Sequence, residues 1–266
     1  TLWRVNAWSI DEMLEVAREE GLRSLELHLV MNKRFVAIRD YWNSRWKRFR
    51  ISLPKKERHK RLKAHSRFVG ISRKGSKIPY EKGFLALSLD EKKIAVPVIQ
   101  GDTSLMLLDL PLDEDGLKLA LAPFETAFPD GLMTPAGVLV ATGALAPGPY
   151  LRKLFDRNHY HGEVVWGWPQ IALHIALLRR LGRWLTPPPV KVDVNSKRVR
   201  RLEKRVAKLR LKLDDWAANE LWTWKKEGAT LQPVAYGQEK SAATESNAAQ
   251  LWSVAALGVD LWLHQR

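Results

Sequence analysis

A chain of 266 residues, 45% of them hydrophobic, is long enough to bury a core as one large domain or two small ones. The absence of cysteine excludes disulfides and thiolate zinc sites. No apolar run approaches the roughly 18 residues of a membrane helix, so a soluble protein without a membrane partner is expected; the lack of cysteine fits a reducing, cytoplasmic location and equally permits export. Net charge is +15, but residues 33–77 hold 17 Lys and Arg against Asp40 and Glu57, so this one block carries the whole excess.

Tryptophan is the second compositional anomaly, with 12 in the chain. Such flat rings stack on sugars or nucleobases, and they also fill helix junctions. The chain starts at Thr1 without a basic-then-apolar leader, and the expectation is a processed or truncated piece of a longer protein.

In chain order, Ser9 and Glu12 form a capping box ahead of Met13, Leu14 and Val16, which predicts a helix. Alternating apolar positions over 24–36 suit a strand. Within the basic block, Trp42, Trp46 and Phe49 recur at helical spacing, and Pro54 is expected to stop that helix. Gly70, Gly75 and Pro79 then mark a linker over 66–82. The predicted organisation is a basic, unassigned N-terminal segment, 1–80, followed by a domain over 83–266. Two short apolar runs flank a turn at Asp90 to Lys93, compatible with a hairpin or with a helix-to-loop passage.

A helix is predicted over 112–128, with Asp113, Glu114 and Asp115 at the end where the dipole favours acids. The Gly- and Pro-rich run "FPDGLMTPAGVLVATGALAPGPY" is too apolar for a linker and reads as a structured loop. Residues 169–185 form a buried-looking helix with Pro169 in its first turn. Residues 196–216 form an amphipathic one, with Leu202, Val206, Leu209 and Leu213 on one face. "LWTWKKEGATLQPVAYG" reads as an irregular connection turning at Glu227 and Gly228, and 247–264 as a closing apolar helix. Six or seven helices joined by long loops predict a mainly α fold. Neither Gly-rich phosphate-loop pattern occurs, and no cofactor or metal is expected.

Three segments carry more polar and aromatic groups than plain core needs. In "NHYHGEVVWGWPQIALHIALLRRL", two His flank Tyr160, Gly162 permits close backbone approach, and Trp166 and Trp168 precede a helix. In "TESNAAQLWSVAALGVDLWL", Glu245 stands just before a helix start, as a cap or as a carboxylate facing a cavity. In "GFLALSLDEKKIAVPVIQGDTSLMLL", Asp102 follows a Gly in a loop.

"YHGEVVWGWPQIAL" resembles the Y-H-x-G-x-V-W-x-W signature of the six-hairpin glycosidases, especially the amylo-alpha-1,6-glucosidase domain of glycogen debranching enzymes. "ESNAAQLWSVAALGVDLWL" is similar to their closing A-Q-x-W-S-V-A helix, and "PDGLMTPAGVLVA" to the loop between. The three occur in the family's order, within residues 83–266. The resemblance implies an (α/α)6 toroid or part of one. It implies hydrolysis of α-glucosidic bonds in an oligo- or polysaccharide by two carboxylates with inversion. Glu245 falls at the base position, with Glu239 as its neighbouring alternative. Tyr160, His161, Glu163, Trp166, Trp168, Gln250 and Trp252 fall around the sugar. The family's acid lies in an upstream W-x-D loop that this sequence lacks, which leaves Asp102 as the acid candidate. The alternatives are an incomplete or non-catalytic carbohydrate-binding relative, or half a barrel completed by a second chain. A basic nucleic-acid-binding protein ranks last, because the block has no recognisable nucleic-acid motif.

Overall fold

The computed structural model describes residues 15, 18–22, 46–73, 77–109, 112–183, 196–214, 221–228 and 230–235. Of the expected helix after Ser9, Glu15, Arg18 and Glu19 are described and are helical, while the rest of it, the strand over 24–36, the closing helix over 247–264, and Glu239, Glu245, Gln250 and Trp252 lie outside the described residues. Among the described residues helix predominates over strand, in six α-helices and several short β pairs. No helix there is long and apolar enough to cross a membrane.

The basic block folds differently from its reading. Of the expected 42–49 helix, the described part is a single 3-10 turn, Trp46–Phe49, which runs into β1 (Arg50–Ile51). Pro54 does not stop a helix; it immediately precedes one, α1 (Lys55–Phe68). Proline is tolerated there because the first turn has no use for its missing N–H. This helix escaped the sequence reading because its buried stripe is narrow and mostly polar: Arg58, Leu62 and His65, at spacings of four and three.

The Gly/Pro stretch over 66–82 does not break the packing. Residues 66–68 finish α1. β1 pairs antiparallel with β2 (Phe84–Leu85), Arg50 opposite Leu85 and Ile51 opposite Phe84. Leu62, Tyr80 and Phe84 share one buried core with Leu121, Leu145, Leu173 and Leu202. Trp46 packs with Leu85 and Leu119. A Cβ on Gly116 would stand 2.9 Å from the Trp46 ring, so that glycine admits the indole. This tryptophan fills a junction.

Asp90 and Lys93 do form a turn, closed by an antiparallel bridge between Leu89 and Ala95, so the hairpin alternative holds. β3 (Ile99–Gln100) leads into α2 (Thr103–Asp109). Then comes α3 (Glu114–Glu125), capped by Asp113, whose carboxylate accepts the Gly116 N–H at 2.7 Å. The apolar Gly/Pro run is structured, as expected: β4 (Met133–Thr134) pairs with β5 (Gly137–Val138), and β6 (Ala141–Thr142) pairs with β3. Short α4 (Pro149–Leu154) follows.

β7 (Val165–Trp166) opens α5 (Gly167–Arg180), which packs on α2 and on α6 (Lys197–Asp214). Arg180 fastens the first contact by donating from Nε to the Leu107 carbonyl at 2.6 Å. α6 buries Val199, Leu202 and Val206 and turns its basic face outward, as its periodicity predicts. The stretch read as an irregular connection is instead a β-hairpin: β8 (Leu221–Glu227) and β9 (Thr230–Ala235) turn at Gly228, whose φ is +58°. β8 also pairs with β7, giving the order β7-β8-β9. Pro233 is accommodated because β9 is the edge strand.

Candidate functional site

Two of the three segments singled out in the sequence meet in space. The Gly101 N–H donates to the Val140 carbonyl at 2.6 Å. The Val140 N–H donates in turn to Val164 O at 2.8 Å, and the Ala141 N–H to Gly162 O at 3.1 Å. The strand around 139–142 therefore holds the Asp102 loop on one side and the loop over 158–166 on the other. Gly162 makes this passage possible. A Cβ there would lie 2.2 Å from the Asp156 carbonyl oxygen and 2.7 Å from the Phe155 carbonyl carbon.

Along the second loop the side chains divide by alternation. Val164 and Trp166 cluster with Tyr160 and Val140 on the outer side, while Val165 joins the main core. Tyr160 and Trp166 meet edge to face at 4.5 Å, with His161 5.1 Å from Tyr160 and 5.5 Å from Trp166. Trp168 extends the group, 6.4 Å from Trp166. The Trp166 indole N–H donates to Tyr160 O at 3.3 Å, which fixes its ring plane. Tyr160, Trp166 and Trp168 are half-buried and His161 is exposed, so ring area stays open to solvent. The field of the His161 side chain is felt at the Asp102 carboxyl. Its residue reaches solvent, yet loss of water around the carboxyl pushes its pKa up, and the histidine pulls it back.

Glu163 does not join this edge. It is 1% exposed and turns inward with Val165. Its Oε1 accepts the Thr142 hydroxyl at 2.8 Å and lies 3.1 Å from His65 Nε2. The single Thr142 proton goes to the carboxylate, so the His65 nitrogen facing both oxygens carries its own proton. This His65–Thr142–Glu163 group ties α1, β6 and the 158–166 loop together inside the core. The family resemblance placed Glu163 around the sugar, and strand alternation turns it inward instead. His65 carried no signal in the sequence, because its partners Thr142 and Glu163 are distant in the chain.

Gln170, another residue the motif reading passed over, locks the start of α5 to the hairpin β4–β5. Its Oε1 accepts the Val138 N–H at 3.1 Å, and its Nε2 donates to Trp166 O at 3.3 Å. Gly137, at φ +133°, makes room for it. Among the described residues no cluster of three or more His, Asp or Glu is placed to hold a metal ion.

The arrangement is an aromatic edge and, across one strand, the loop that carries Asp102, held by a mainly α domain. Comparison with known proteins finds no matching family model, no matching curated protein and no matching solved structure.

Proposed function

We propose that this chain is the C-terminal part of a six-hairpin, (α/α)6-type glycosidase acting on α-glucosidic bonds, located in the cytoplasm as the cysteine-free composition suggests. The observation that carries the reading is the chain of backbone hydrogen bonds from Gly101 through Val140 to Val164, which sets the Asp102 loop and the aromatic loop on either side of one strand, as motif order alone did not require. Open ring faces stack on a pyranose, and a carboxyl with a raised pKa suits a group that must hold a proton until the leaving oxygen takes it. In this reading Asp102 is the acid, and Glu245 is the base that activates water on the opposite face of the sugar. The packing of α5 between α2 and α6 is compatible with one sector of a helical toroid.

The test is release of glucose from maltose, isomaltose or limit dextrin by the purified chain. Glu245→Gln and Asp102→Asn should each abolish it. A well-folded sample that releases no glucose from any of them refutes the hydrolase reading. The missing W-x-D motif favours one second reading, a sugar-binding relative without turnover. In that case oligosaccharide quenches tryptophan fluorescence and no glucose appears.

A further inference from the structure

The basic block has no nucleic-acid motif, but the fold gives it a geometry that its sequence did not display. Both faces of α1 are polar. Arg58, Leu62 and His65 turn inward. Lys56, Lys60, Lys63 and Arg67, at spacings of four, three and four, form a row along the opposite face, and all four are exposed. The other arginines of the helix are committed to the fold: Arg58 donates to the Leu53 carbonyl at 2.6 Å and Arg61 to the Leu145 carbonyl at 2.9 Å. The helix has one acid, Glu57, and Arg61 holds it at 2.7 Å. None of the four cations in the row makes an ion pair or a side-chain hydrogen bond with a described residue.

Such a row is unfavourable by itself. Like charges three and four residues apart repel. Lys55 and Lys56 also stand in the first turn, where the helix dipole disfavours cations. A face that only keeps a helix in water can mix signs, as Glu114 and Lys118 do on α3. An anion laid along the row would relieve the repulsion.

The row restricts the partner. From Lys56 to Arg67 it runs about 16 Å, at a rise of about 1.5 Å per residue. One strand of a duplex carries a phosphate about every 3.4 Å along the axis, so the row spans about five phosphates. No aromatic ring stands between the cations for bases to stack on; Phe68, 45% exposed, lies beyond the end of the row. No exposed apolar side chain stands between them either, whereas a helix seated in a membrane surface needs an apolar face toward the lipid. Lysine meets phosphate as a point charge and carries no base-reading fork.

We propose that the outer face of α1 binds the phosphate backbone of a nucleic-acid duplex without regard to base sequence. This binding is separate from the Asp102 edge and does not rest on the hydrolase reading.

Fluorescence anisotropy of the full chain with a labelled DNA duplex of about 20 base pairs, over about 50–200 mM salt, tests it. Four phosphate contacts predict a slope of about −3.6 in log affinity against log salt. The double variant Lys60→Ala/Lys63→Ala should flatten the slope to about −1.8 and weaken binding at least about tenfold at 0.1 M salt. It should melt no lower than the parent, because it removes repulsion, so lost binding cannot be lost fold. Arg201→Ala/Lys204→Ala removes the same charge at the same spacing from the exposed face of α6 and should leave the slope unchanged. Glu245→Gln should bind the duplex as the parent does even where it removes glucose release, which separates the two readings. Absence of duplex binding at 50 mM salt overturns the proposal. So does an equal loss in the α6 variant, which would mean net charge alone, or tighter binding to phosphatidylserine vesicles than to the duplex.

Discussion

Replacing Gly162 with alanine places a methyl group where the backbone of residues 155–156 already runs. The new carbon would sit 2.2 Å from Asp156 O and 2.9 Å from Phe155 O. Carbon and oxygen tolerate about 3.3 Å, so one strand of chain must retreat by roughly 1 Å. Asp156 O accepts the N–H groups of His159 and Glu163, each at 3.2 Å, and both bonds lengthen with that retreat. Two weakened hydrogen bonds contribute about 0.5–1.5 kcal/mol each, and overpacking adds about 1–3 kcal/mol. Gly162→Ala should therefore lose about 2–6 kcal/mol in urea denaturation, read at an unchanged slope with denaturant. The Tyr160–Trp166 contact sits on the same loop, so near-ultraviolet circular dichroism of the folded variant should change as well. A variant within 0.5 kcal/mol of the parent, with the same spectrum, would refute the close-packed passage.

Asp102→Asn should raise the melting temperature at neutral pH and leave it unchanged near pH 3. Loss of water raises the folded carboxyl's pKa, so the folded state holds more protons than the unfolded one and stability falls as pH climbs from the ordinary value through the raised one. The asparagine removes that fall, and equal pH slopes in both proteins would contradict it. Asp113→Ala should cost about 1 kcal/mol at pH 7 through loss of the α3 cap. The Gly116 N–H, then Lys47, hold the Asp113 pKa below its ordinary value. That contribution is present above the ordinary carboxylate value and disappears as pH falls through the lowered one, so paired thermal melts should converge in acid.

What was legible in the sequence had a local cause. Asp113 ahead of α3, the Leu202, Val206 and Leu209 part of the stripe of α6 and the tight turn at Asp90 to Lys93 depend on neighbours in the chain, and they emerged as read, while the Leu213 side chain lies outside the described ones. Gly162 was recognised as a close approach, though what it approaches was not visible. The failures needed partners distant in sequence. α1 hides its inner face behind Arg58 and His65, whose burial depends on the Leu53 carbonyl and on Glu163. The β8–β9 hairpin was obscured by Trp222, Trp224 and two lysines, and it is specified by pairing with Trp166. Asp102 and the aromatic loop carried separate signals. Only the intervening strand, through Val140, joins them.

Trp166 lies opposite Leu221 in adjacent strands, so α5 and α6 are an excursion between two neighbouring strands of the sheet. The nascent chain can close the aromatic loop against Val140 well before β8 exists, but Trp224 reaches Phe128 only after the whole excursion has been made. The two faces of the 158–166 loop are thus completed at different moments of synthesis. The aromatic edge is set by chain already made, and the contact with Trp224 waits for the returning hairpin.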